Sequence, residues 1–175
     1  MYKNVDALGV VKGVTVYKCH DGVPDQFPLI ADTGSISLPQ ITFPTFSQQM
    51  MGDTDVVDQS RVNPMVTGIT GEPSIIQSEL HGYGVQEYLC KWAQQMKKED
   101  GTFKVVGFTA FIAGIPSEDF GSTVQVGEGT QSTMNIATLK YRLVCDGEEL
   151  RHVDKTLGIL KMNGVDYRSE VNRLL

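Results

Sequence analysis

Residues 133–166 read T-M-N-I-A-T-L-K-Y-R-L-V-C-D-G-E-E-L-R-H-V-D-K-T-L-G-I-L-K-M-N-G-V-D, and this stretch decides the fold. Ala137, Leu139, Tyr141, Leu143 and Cys145 alternate with Thr138, Lys140 and Arg142. A period of two with one apolar side predicts a half-buried strand. Asp146-Gly147 follows at once. An Asp-Gly pair supplies the two positive-φ positions of a tight hairpin, so the chain should turn back there. Residues 150–154 then read as the return strand and 157–162 as a further strand, closed by Asn163-Gly164. Asp166 is placed to cap a short last helix carrying Val171, Leu174 and Leu175 on one side.

Working outward, residues 103–115 (F-K-V-V-G-F-T-A-F-I-A-G-I) are apolar on both sides of a strand, the pattern of a strand covered on both faces. Residues 85–98 carry Val85, Tyr88, Leu89, Trp92 and Met96 at helical spacing, with Lys97 and Lys98 at the end. They predict an amphipathic helix with its Trp92 face on the sheet. Residues 7–18 read as a strand pair or one bent strand broken by Gly13, and 19–34 as a Pro/Gly/Asp loop. Pro39 and Pro44 remove ladder donors from 35–46, which suits an edge or bulged strand. Residues 65–82 read as one or two strands around Gly71 and Pro73. Residues 47–64 and 116–132 are polar, acidic connections. Loops longer than about 12–15 residues are usually functional or disordered.

The chain has 175 residues, 18 of them Gly, and a net charge of −6. This supports one domain, 1–175, with a turn-rich β core, a long loop at 47–64 and a short C-terminal helix at 166–175. No apolar run approaches the ~20 residues of a membrane span, and residues 1–6 lack the apolar core of a signal peptide. Three widely spaced Cys fit reduced thiols in a cytoplasm. The charge is uneven. Residues 40–139 hold 11 acids and 5 bases, whereas 140–175 hold 6 acids and 7 bases. An acidic middle reads either as a solvated face or as a surface that repels a polyanion.

No catalytic constellation emerges. Cys19-His20 are adjacent, and His81, His152, Cys90 and Cys145 are scattered, so zinc-ligand spacing is missing. Asp53, Asp55 and Asp58 lack the Gly and closing Glu of a calcium loop. Gly82-x-Gly84 has no third Gly. Glu149 and Asp154 near His152 more simply solvate a strand face. The reading is a non-enzymatic chain without cofactor or metal.

The ordered set Tyr141-x-Leu143-x-x-Asp146-Gly147-x-x-Leu150, then Asp154, then Asn163-Gly164-Val165-Asp166 resembles the C-terminal part of the major tail tube proteins of contractile-tailed phages and R-type pyocins. The resemblance is strongest over 105–175, and Gly127-Glu128-Gly129 resembles the family's Gly-Glu pair. It implies a mainly β fold, an antiparallel sandwich or barrel with one flanking helix. It implies rings of six, stacked head to tail into a hollow conduit that passes DNA or breaches a target envelope. Met50, Met51, Asp53, Asp55, Asp58 and Arg61 would then lie at the ring-to-ring contact. Implied partners are further copies of the chain, a contractile sheath, a baseplate tube initiator and a tail terminator. DNA would transit without specific binding, and there would be no membrane anchor. The implied location is the virion tail, after assembly in the host cytoplasm. Two other readings stand beside it: a tube subunit of a type VI secretion-like system, and a small monomeric binding module or enzyme using 116–132 as a lid.

Overall fold

The computed structural model describes residues 5–28, 30–31, 34–49, 53–71, 82–98, 100–118 and 132–174. The chain is mainly antiparallel β. Four long strands form its centre: β1 (Val5–His20), β8 (Gln86–Lys98), β9 (Phe103–Glu118) and β10 (Ser132–Cys145). They lie in the order β10-β9-β8-β1. β2 (Val23–Pro24) and β3 (Ile30–Ala31) pair with the outer edge of β1. β11 (Glu148–Asp154), β12 (Ile159–Met162) and β13 (Val165–Asp166) continue the sheet beyond β10. β4 (Ser35–Ser37) pairs with β7 (Met65–Gly71), and β7 pairs with β10. β5 (Thr45–Gln49) and β6 (Asp53–Val57) form a separate two-stranded sheet. Among the described residues the one helix is α1 (Ser169–Leu174).

One edge of β10 serves two strands. β7 occupies 132–138 and β11 occupies 140–145, while β9 runs along the other edge. Leu139 stands between the two partners, at a bulge in the β9 pairing. A bulge inserts one residue and flips the alternation. The buried face is therefore Met134, Ile136 and Thr138 before the bulge, and Tyr141, Leu143 and Cys145 after it. This corrects the simple alternation expected from the sequence, since Ala137 is exposed and Thr138 is buried. Thr138 is accommodated because its hydroxyl bonds the Thr67 hydroxyl at 2.6 Å and the Ile136 carbonyl at 3.2 Å. The unpaired Leu139 carbonyl accepts the Lys155 N–H at 3.0 Å.

The expected helix over 85–98 is a strand. β8 is paired on both edges, with β1 and with β9, through Lys97. Its apolar residues fall on two faces. Tyr88, Cys90 and Trp92 look into the core, and Leu89 is buried on the opposite face. Positions spaced for a helix are here a strand paired on both edges, with apolar residues on both faces. Tertiary pairing has overridden local propensity. Trp92 and its cross-strand partner Phe108 stack with centroids 5.2 Å apart, a contact worth about 0.5–1.5 kcal/mol beyond its buried area.

The core joins both branches of the split. Val16, Tyr88, Cys90, Ile112, Tyr141, Val153 and Leu160 share one cluster with Met65 and Ile69 of β7. Three two-residue turns set the registers: Asp21-Gly22, Asp146-Gly147 and Asn163-Gly164 all have φ between 47° and 84°, the conformation that Asp-Gly and Asn-Gly favour in hairpins. Residues 19–24 are therefore a tight hairpin where the sequence reads as loop. β12 begins at Ile159, and Leu157 is exposed. Leu174 is exposed too, and Leu175 lies outside the described residues.

Gly114 sits beside the split, paired with Thr138. A Cβ there would meet the Ala137 carbonyl oxygen and lie 2.7 Å from Ile136 Cγ2. Gly114→Ala should therefore destabilise the fold by about 1–3 kcal/mol, the cost of overpacking, measured by urea unfolding. Gly107→Ala faces open space and should stay within ~0.5 kcal/mol of the parent. Equal midpoints for the two variants would contradict this account of the split.

Candidate functional site

The residues singled out in the C-terminal stretch are structural. Tyr141 and Leu143 lie in the core. Asp146 accepts Lys104 Nζ at 3.1 Å and the Gly107 N–H at 3.3 Å, which hold its carboxyl below its usual 3.8. Gly147 completes the turn, and Leu150 is the extra residue where pairing steps from Glu149 to Arg151. Asp154 is buried and accepts the N–H groups of Thr156 and Leu157 at 2.8 and 3.0 Å. Its other oxygen lies 3.5 Å from Lys140 Nζ. Asn163 and Gly164 make the last turn, Val165 pairs with Met162, and Asp166 accepts the Arg168 N–H at 2.9 Å.

Met50 and Met51 lie outside the described residues, as do His81, most of 116–132 and Gly127-Glu128-Gly129. The rest of the polar stretch 47–64 departs from an irregular loop. β5 and β6 pair from Thr45↔Val57 to Gln49↔Asp53, making a two-stranded arm. Phe46 and Val56 are opposite each other and share one face; they are 50% and 44% exposed. Ser47 and Asp55 are opposite each other on the other face, with Ser47 Oγ donating to Asp55 at 2.7 Å. Neither strand pairs with any other strand among the described residues.

Among the described residues the arm is joined to the body at its base. Asp58 N–H donates to the Pro44 carbonyl and Asn63 N–H to the Thr42 carbonyl, both at 2.9 Å. Asp58 also accepts Ser60 N–H and Oγ, and Arg61 Nε lies 3.5 Å away. The Ser60 bonds, then Arg61, hold its carboxyl below the ordinary 3.8. The Asn63 carbonyl accepts Lys155 Nζ at 2.9 Å. Lys155 is the residue whose N–H reaches Leu139, so one lysine links the arm base to the sheet split. Burial pushes its ammonium below the usual 10.5. Phe43 stacks on Tyr167, just before α1, at 6.2 Å.

A second uncovered surface follows β9. Phe103, Val105, Phe111 and Ile115 lie on its outward face and are 38–65% exposed. Val10 joins them through Gln95, which pairs with both Val10 and Val105. The face covered on both sides in the sequence reading is thus open in the single chain.

A cleft of about 230 Å³ crosses β8–β11 and includes Cys19, Glu87, Lys140, Arg142, His152 and Asp154. Its charges engage one another. Arg142 and His152 both meet Glu149, and Lys140 meets Asp154. Burial, then Glu87 and Asp25, push the Cys19 thiol up to about 11. Burial pushes Cys90 up to about 12. These thiols are protonated at neutral pH and are poor nucleophiles. Among the described residues no three His, Cys, Asp or Glu come together as metal ligands, and no helix is long and apolar enough to cross a membrane.

A split antiparallel sheet, an uncovered arm and an open apolar face define a β protein built to associate. The family model for phage tail tube protein FII matches residues 25–175, and the chain belongs to that family. It is thus a structural subunit of a virion tail that self-assembles into a tube. A search of the curated proteins finds no match.

Two measurements check this subsection. Cys19, Cys90 and Cys145 are all buried, so the folded chain should resist alkylation at pH 8, whereas all three should label in urea. Rapid labelling of the folded chain would contradict the burial. Asp58→Ala should raise protease cleavage within 45–57 at neutral pH and leave the core melting temperature nearly unchanged. Equal cleavage in parent and variant would show that Asp58 does not secure the arm. A lowered carboxylate pKa stabilises above the ordinary value and loses that contribution as pH falls through the folded one, so acid should also loosen the base.

Proposed function

We propose that this chain, as one domain over 1–175, is the inner tube subunit of a contractile tail, of a phage or of a tailocin. Six copies close a ring, and rings stack head to tail. The observation that carries this reading is the arm. An isolated two-stranded hairpin is marginal in water, and this one exposes Phe46, Val56 and Val57. A neighbouring ring supplies the missing cover, with Met50, Met51, Asp53, Asp55, Asp58 and Arg61 at or beside the contact.

Lateral closure has its own support. Over residues 5–14 the outer edge of β1 faces no strand among the described residues, and edge strands seek partners. The apolar outward face of β9 adds area to a side-to-side contact. A closed ring satisfies such edges, and a heterologous axial contact repeats without limit. The net charge of −6 suits a conduit for DNA. Carboxylates on the lumen repel phosphates over a Debye length of ~8 Å at physiological salt, so DNA passes without specific binding. In a tailocin the same tube breaches an envelope. The sheath, the baseplate tube initiator and the tail terminator are the expected partners, and assembly takes place in the host cytoplasm.

Negative-stain electron microscopy of purified protein, with and without a nucleating baseplate, tests this. Hollow tubes of sixfold rings are expected. Phe46→Ser with Val56→Ser changes exposed positions and should shift subunit stability by no more than about 1 kcal/mol, while abolishing stacking. Tubes of parental length from that variant would overturn the arm assignment.

A further inference from the structure

The arm base, the β11–β12 corner and α1 enclose a groove of about 490 Å³. Its apolar lining includes Val62, Ile159 and Val171, and its cations are Arg61, Lys155 and Arg168. We propose that this groove receives the arm of a second copy in the next ring. The inference rests on the ring-stacking reading above and names the surface on which the arm lands.

Arg168 is the first indication. Its guanidinium lies over Gly158, where a Cβ would come within 2.7 Å of Nη1. Gly158 has φ 66°, so the backbone as well as the space calls for glycine. Arg168 Nε is buried and has no hydrogen-bond partner among the described residues. A buried N–H without an acceptor is costly, and a turn of the guanidinium toward an incoming carboxylate removes the cost. Two carboxylates near the groove are already committed. Asp58 is held by Ser60 and Arg61, and Asp154 by Thr156, Leu157 and Lys140. They hold the groove's shape and leave Arg168 unanswered.

The arm matches the groove in both respects. Residues 45–57 contain Asp53 and Asp55 and no Lys or Arg. The arm has an apolar face, Phe46 and Val56, and a polar face with Asp55. A groove lined by both apolar side chains and cations fits a hairpin so divided. Charge complementarity of this kind selects the partner and its register. The contact joins two different surfaces, the arm of one copy and the groove of the next, so every added ring presents the same pair again.

The test is a charge exchange. Arg168→Glu and Asp55→Arg should each raise the protein concentration needed for tube growth by about tenfold or more, equivalent to one disrupted charge contact. The double variant should recover most of the loss. Circular dichroism confirms that each variant is folded. At protein concentrations high enough for tubes to grow, Asp55→Cys combined with Val171→Cys should give a ladder of covalent multimers with a short bismaleimide, and this readout stands even if a charge variant fails to fold. A double variant no better than the worse single one, or tubes without the ladder, overturns the groove assignment. Parent protein that forms no tubes even with a baseplate overturns the stacking reading. Parent tubes indifferent to both single reversals overturn the groove alone.

Discussion

A backbone edge carries one row of hydrogen bonds, and β10 must share that row between two strands. β7 takes its first half and β11 its second. The boundary needs a residue that belongs to neither ladder, and Leu139 is that residue. Its carbonyl is satisfied by Lys155, so the break leaves no orphan acceptor. Because the bulge flips the alternation, Thr138 and Tyr141 both point inward. The two branches then cover one core, with Met65 and Ile69 on one side and Val153 and Leu160 on the other.

The same lysine connects the core to the arm base. Lys155 bonds Leu139 through its backbone and Asn63 through its side chain. Asn63 in turn bonds Thr42 on the other side of the arm base. The arm therefore leaves the body from a fixed base, although its strands pair with no other strand among the described residues. Membership of the tail tube family supplies the reason for leaving apolar surface in water.

The C-terminal third could be read closely because its signals are local. Asp146-Gly147 and Asn163-Gly164 encode turns through positive φ, and the return strand between them follows. The register around Leu139 was not legible, since nothing in T-L-K marks a bulge. It arises because two separate strands compete for one edge. The Tyr88–Met96 stripe fits a helix in one dimension and a strand paired on both edges in three, and only pairing with β1 and β9 decides between them. The arm was read as loop because Q-Q-M-M-G-D-T-D lacks β-branched alternation, although its flanks, Phe46 and Val56, carry the signal.

By itself, the sequence determined the mainly β class, the turns, the acidic middle with a more basic C-terminal part, and the family resemblance. These follow from residue type at fixed spacing, and spacing survives in one dimension. Only the tertiary structure decided which faces are inward, that 85–98 is a strand, and that the arm stands apart beside a cationic groove. Those outcomes depend on partners far apart in the chain. Leu139 and Lys155, Arg168 and Gly158, and Thr138 and Thr67 acquire their roles when folding brings them together.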